Sequence, residues 1–262
     1  QCRHLPWGAN VMAMSPQHRS CSSRAHASVA SSPSPQDLTF VGFPNAGKST
    51  LLKALSRARP KIANYPFTTI KPNLGICEFD DLRSISFADL PGLIEGAHMN
   101  EGMGHSFLKH VERTRVLMFV VDVNGFQFKA DSPLRSAFET VLILNRELEL
   151  YKSDLLDKPA LVVITKMDSH GASDTFEALK AKLENIEEAA RDLSVINPEI
   201  VPEKLIEFSE IVPISAKFSP KTVDYLKFRV RDVIDEHMQC QKRVDELTEK
   251  VDAKLSEKTL IA

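Results

Sequence analysis

The sequence predicts an α/β protein with a mostly parallel, six-stranded sheet covered by helices on both sides. Three observations carry that prediction. From residue 37 onward, short apolar runs alternate with helical patterns, which implies parallel strands joined by crossover helices. Several runs are nearly continuous in apolar residues, as strands buried on both faces are. The residue clusters that suggest chemistry follow those runs directly, where ligands bind in sheets of this kind. The loop around Thr69 is the exception, because it lies before a strand.

Residues 1–36 stand apart from this pattern. They contain no Asp or Glu, three arginines and eight serines, too little apolar surface to build a core. The composition fits a mitochondrial presequence or a disordered leader without an address. A single domain is expected over 37–238, with a charged helical tail over 239–262.

Within the domain, "LTFV" (38–41), "LGICEF" (74–79), "SISFA" (84–88), "VLMFVVDV" (116–123), "ALVVIT" (160–165) and "IVPIS" (211–215) are the expected strands. Their β-branched and aromatic content suits a pleated, buried surface. Helices are expected over 48–56, 106–113, 133–151, 175–193 and from 221 onward, where apolar residues recur at helical spacing. In the tail, Cys240, Val244, Leu247 and Val251 fall at near-heptad spacing. That pattern fits either a partner-binding coiled coil or a solvated extension of the last helix.

The bulk numbers exclude several classes. Lys+Arg 33 against Asp+Glu 35 leaves a net charge of −2, so no overall basic field advertises nucleic acid. The four cysteines have no metal-site spacing and read as reduced thiols of an intracellular protein. No apolar run is long enough to span a membrane, and no membrane partner is expected.

Gly42 to Ser49, "GFPNAGKS", fits G-x-x-x-x-G-K-[ST] after a strand and before a helix, the context this phosphate-binding motif requires. Glycines let the backbone turn its N–H groups toward phosphate oxygens, and the following helix adds its positive end. In this reading Lys48 neutralises β- and γ-phosphate charge and the Ser49 hydroxyl ligates Mg2+. Asp89-Leu90-Pro91-Gly92 follows the next buried strand, where a carboxylate can hold the same ion. Thr68 and Thr69, in the intervening loop, are further candidate metal ligands.

Two later clusters address the base. Thr165-Lys166-Met167-Asp168 follows "ALVVI", and a carboxylate there can accept hydrogen bonds from the ring N–H and amine of guanine. Adenine would leave it unpaired, at a cost on the order of a few kcal/mol. Lys166 can lay its stem over the base, and Ser215-Ala216-Lys217 can offer a backbone N–H to the guanine carbonyl.

On "GFPNAGKS", "YPFTTIKPNLG", "ADLPGLIEGAH" and "GMGHSFLKHVERTR" the chain resembles the P-loop GTPases and, more narrowly, the Obg family, over about 37–235. The resemblance implies a Ras-like, three-layer P-loop NTPase fold. It places Gly42, Phe43, Pro44, Asn45, Ala46, Gly47, Lys48, Ser49 and Thr50 around the phosphates. Phe67, Thr68, Thr69, Ile70 and Lys71 become the first switch loop, and Asp89, Leu90, Pro91 and Gly92 the second. Ser49, Thr69 and Asp89 hold Mg2+; Thr165, Lys166, Met167, Asp168, Ser215, Ala216 and Lys217 read guanine. Asn45, Lys48, Thr69 and Gly92 take the catalytic roles.

The implied partners are GTP and GDP, and the large ribosomal subunit or its precursor, for a protein acting as a monomer in the mitochondrial matrix or nucleolus. Three departures go with the resemblance. Thr165 stands where the family usually has asparagine, so weaker binding with retained guanine preference is expected. The family's glycine-rich N-terminal domain has no counterpart in residues 1–36. The stretch 194–210 and the tail after Lys221 match only loosely.

Leu93 occupies the place of the glutamine that orients the attacking water in many GTPases, so slow intrinsic turnover is expected. Asn45 suggests a compensating K+ beside the phosphates, and His98 a water-positioning group. The alternatives are a nucleotide-gated binding module that holds GTP without turnover and, disfavoured by Asp168, a P-loop ATPase or kinase.

Overall fold

A computed structural model describes residues 36–56, 61–62, 73–89, 111–127 and 132–259, with the side chains of 61–62 and 251–259 left out. The expectations for residues 1–35, for Phe67 to Lys71 and for Leu90 to Gly92, Leu93 and His98 lie outside them. So do those for most of the helix at 106–113.

Among the described residues seven strands form one sheet: β1 (Leu38–Val41), β2 (Lys61–Ile62), β3 (Asn73–Glu78), β4 (Ser84–Asp89), β5 (Val116–Asp122), β6 (Ala160–Thr165) and β7 (Phe208–Pro213). Their order is β2-β3-β4-β1-β5-β6-β7. From β4 to β7 all pairs are parallel, while β2-β3 and β3-β4 are antiparallel. The six expected strands are all present. The two-residue β2 adds a seventh at the edge, too short for any periodicity to reveal.

Burial follows position in the sheet. Every residue of β1 and β6, and all of β5 but Asp122, is buried, which explains their unbroken apolar runs. Nearer the edge, β3 alternates buried Gly75 and Cys77 with exposed Ile76 and Glu78, as a strand with one solvated face does.

Helices cover both faces. α1 (Lys48–Leu55) and the start of α5 (Pro220–Thr259) lie on one side. α2 (Ala137–Tyr151), α3 (Ala172–Glu184) and α4 (Ile186–Ile196) lie on the other. α2 starts at a capping box: Ser136 Oγ accepts from the Glu139 N–H, and Glu139 accepts from the Ser136 N–H. The pair satisfies two otherwise orphaned donors. α5 buries Val223, Leu226, Val230, Val233 and Ile234, a stripe at helical spacing. It then runs unbroken through the expected boundary at 238/239, exposed over 239–250.

One expected helix, 175–193, is two. Its apolar positions Phe176, Leu179, Leu183, Ile186, Ala190 and Leu193 keep one continuous period, but the chain breaks at Asn185, at φ −121° and ψ 50°. The Asn185 amide donates instead to the Ala181 carbonyl, 3.3 Å away, the kind of competing side-chain bond that makes asparagine a poor helix interior. The sheet's parallel strands deliver the ends of β1, β4, β5, β6 and β7 to one edge, and the site lies there.

Candidate functional site

The loop between β1 and α1 is held by backbone as much as by side chains. Gly47 lies at φ 96° and Asn45 at φ 63°, so two residues three or fewer apart turn through the left-handed region that glycine tolerates best. A Cβ at Gly42 would sit 2.4 Å from the Val120 carbonyl oxygen; here glycine is required because β5 approaches the backbone so closely. Phe43 is buried and stacks on Phe126, ring centroids 4.5 Å apart, which anchors the loop from below.

Lys48 is buried and donates to the Gly42 and Phe43 carbonyls at 2.8 and 2.9 Å. Burial lowers its pKa from 10.5 to about 8, although the Asp89 carboxylate pulls the other way. A buried ammonium on neutral carbonyls is under-compensated, and an anion there would restore its charge. Asp89, the last residue of β4, shows the converse. Burial raises its carboxyl pKa, against the Ser49 hydroxyl, Lys48 and Asn73.

The Ser49 hydroxyl donates to Asp89 Oδ2 at 2.6 Å. Those two hard oxygens, one charged and poorly solvated, fit an Mg2+ ion, which takes few protein ligands and completes its shell with water and phosphate. Among the described residues no group of three or more His, Cys, Asp and Glu could hold a metal by itself. Thr69, the third expected ligand, falls outside the described residues.

The end of the site expected to meet the base lies after β6 and β7. Thr165 is buried and its hydroxyl donates to the Ala46 carbonyl at 2.7 Å and contacts the Val121 carbonyl at 3.1 Å. The threonine therefore ties the loop after β6 to the loop before α1, as its hydroxyl allows. Asp168 Oδ1 accepts from the Ser215 hydroxyl at 2.6 Å. Besides belonging to the cluster expected to offer a backbone N–H, Ser215 thus orients the carboxylate with its side chain. The Met167 N–H donates to the Ile214 carbonyl at 3.2 Å, closing the two loops on each other.

Together these loops wall a cavity of about 470 Å3. Asn45, Gly47, Lys48, Ser49 and Thr50 line one part, and Thr165, Lys166, Asp168, Ser169, Ala216 and Lys217 the rest. Residues up to 172 positions apart in sequence thus meet at one opening, a size and chemistry suited to a phosphorylated heterocycle.

Sequence reasoning missed Asp122, Asn124 and Ser169. Asp122 ends β5, pairs in register with Thr165, and forms an ion pair with Lys166. Asn124 donates to Asp122 at 3.0 Å and to the Ser169 hydroxyl at 3.1 Å. The available signal was Asp122's place at the carboxyl end of a buried strand, the position that marked Asp89.

The family model described as a 50S ribosome-binding GTPase matches residues 37–166. The zebrafish (Danio rerio) GTP-binding protein 10 is 53% identical over 221 residues, covering 82% of this chain and 57% of that protein. The GTPase Obg of Bacillus mycoides is 44% identical over 182 residues, covering 70% of this chain and 41% of its own length. The chain spans about half the length of the curated relatives it matches. A solved structure of an Aquifex aeolicus Era variant bound to GDP.AlF4- aligns with a TM-score of 0.44 at 26% identity. It covers 74% of this chain and 55% of that one. By these matches the chain belongs to the Obg-type P-loop GTPases.

Proposed function

We propose that this chain binds GTP and GDP with Mg2+, hydrolyses GTP slowly, and acts as a monomeric switch in maturation of the large ribosomal subunit. The observation that carries the nucleotide reading is the shared cavity, in which Lys48 and Asp168 line one opening. Lys48 would turn from the Gly42 and Phe43 carbonyls to phosphate oxygens. Ser49 and Asp89, with Thr69, would hold Mg2+, which supplies charge neutralisation to the phosphates. Asp168, oriented by Ser215, would accept from the ring N–H and amine of guanine, and the Ala216 and Lys217 backbone would meet its carbonyl.

The ribosomal part is supported by the description of the matching family model, a 50S ribosome-binding GTPase. The compartment in this reading is the mitochondrial matrix or the nucleolus. Among the described residues no helix is long and apolar enough to cross a membrane.

For turnover, Leu93 supplies no group to orient water, so Asn45 would help to hold K+ beside the phosphates. One specific observation favours a second reading, a switch that holds GTP without cutting it: Leu93 follows Asp89-Leu90-Pro91-Gly92 directly. The test uses the purified chain with Mg2+, titrated with GDP and ADP and then assayed with GTP in potassium against sodium chloride. GDP binding far tighter than ADP, with turnover faster in potassium, is the expected result. Equal affinity for ADP would overturn the guanine reading. Binding without turnover in either salt would leave the holding switch.

A further inference from the structure

We propose that Asp122 is a positioning residue for base recognition, holding Lys166 across the mouth of the cavity and thereby setting how long a nucleotide stays bound. The proposal rests on the nucleotide reading above and names a residue outside the P-loop and outside both base-reading loops.

The geometry is a two-point tether. Asp122, half-buried at the end of β5, pairs with the Lys166 ammonium and accepts from the Asn124 backbone and amide N–H groups, both at 3.0 Å. Asn124 then reaches the Ser169 hydroxyl, at the far end of the same loop. The turn between those anchors is closed by the Ser169 N–H on the Lys166 carbonyl at 2.9 Å. Both ends of the segment that carries Asp168 are thus fixed to β5.

The tether has work to perform. Lys166 lies at φ 61° without being glycine, a backbone state that persists where surrounding contacts over-determine it. Its side chain is long, partly exposed and rich in rotamers, so an unrestrained lysine would lose much conformational freedom on covering a base. An ion pair that fixes it beforehand removes that cost from binding. The pairing is legible only in three dimensions, because it depends on the register that sets Asp122 beside Thr165.

Release of a fluorescent GDP from the full chain tests this, with Asp122→Asn, Lys166→Met and the double variant compared. Each single change is expected to speed release about fivefold, the range of a partly exposed ion pair. The double variant should release no faster than the quicker single, because both remove one interaction. Release from the unaltered chain should also quicken with salt, and the variants should lose that dependence. If the double variant multiplies the two effects to about twenty-five-fold, the residues act independently and the proposal fails. It also fails if both singles release like the unaltered chain. Should Asp122→Asn not fold, Lys166→Met, at an exposed position, still reads the tether from its other end. If the unaltered chain itself does not bind GDP, the nucleotide reading falls, and this proposal with it.

Discussion

The two ends of the cavity are built on opposite principles. At the phosphate end, polar and charged groups rest on substitutes: Lys48 on two backbone carbonyls, Ser49 on Asp89. In the proposed function those bonds would be exchanged when a ligand arrives, and burial shifts the pKa of Lys48 down and that of Asp89 up. At the base end, polar groups already hold one another in place: Ser215 orients Asp168, and Thr165 hangs on Ala46 and Val121. Nothing there needs to be exchanged, only completed. One end is responsive and the other preset, so phosphate binding should report on pH while base binding should report on shape.

The largest effect should come from removing the responsive charge. Lys48→Met is expected to weaken GDP binding by several hundredfold, roughly 3–4 kcal/mol for charge-assisted bonds to two phosphates, measured by calorimetric titration. The ligand-free variant should nonetheless be the more stable protein. In the folded chain Lys48 loses its proton near pH 8, against 10.5 for the ordinary side chain. Between those values the unfolded chain binds the extra proton, so raising the pH from 8 towards 10.5 stabilises the ligand-free fold. Below pH 8 the full penalty, roughly 3 kcal/mol, is present. Melting curves across pH 7 to 10 should therefore rise for the unaltered chain relative to Lys48→Met; parallel curves would show that the ammonium is well solvated.

Next comes the preset end. Asp168→Asn replaces an acceptor pair with one acceptor and one donor, and should cost GDP on the order of a few kcal/mol. The new amide can donate to a carbonyl, so affinity for xanthosine diphosphate should rise in the same variant. Unchanged guanine preference, judged by competition with inosine and xanthosine diphosphates, would remove Asp168 from the site.

The smallest effect tests the link between the ends. Thr165→Val keeps the shape and removes one hydroxyl that serves two buried carbonyls, so stability should fall by about 1 kcal/mol, read from urea unfolding. A loss in GDP affinity much larger than the loss in stability would show that the two ends are less separate than their construction suggests.

What the sequence revealed follows from how local each feature is. Gly42 to Ser49 was legible because strand, loop and helix are contiguous and the glycine spacing is demanding. Asp89 and Asp168 were legible because one ends, and the other closely follows, a strand that an apolar run makes visible. The break at Asn185 was not, since the apolar stripe continues across it in phase and only a side-chain bond to Ala181 marks it. Asp122 was hidden for a different reason. Its partner is set by strand register, and nothing near residue 122 announces what lies opposite. The role of Gly42 was read only in part, because its close approach to Val120 is a contact between strands.

The last helix begins at Pro220, three residues beyond Lys217 at the rim of the cavity, and continues for 40 residues. At 1.5 Å per residue it is about 60 Å long, and its residues 239–250 are exposed. Geometrically it is a pointer fixed at the base loop. A tilt of about 5° at the first turn would carry its far end about 5 Å, so a displacement too small to notice within the pocket becomes a movement the size of a side chain at the tip.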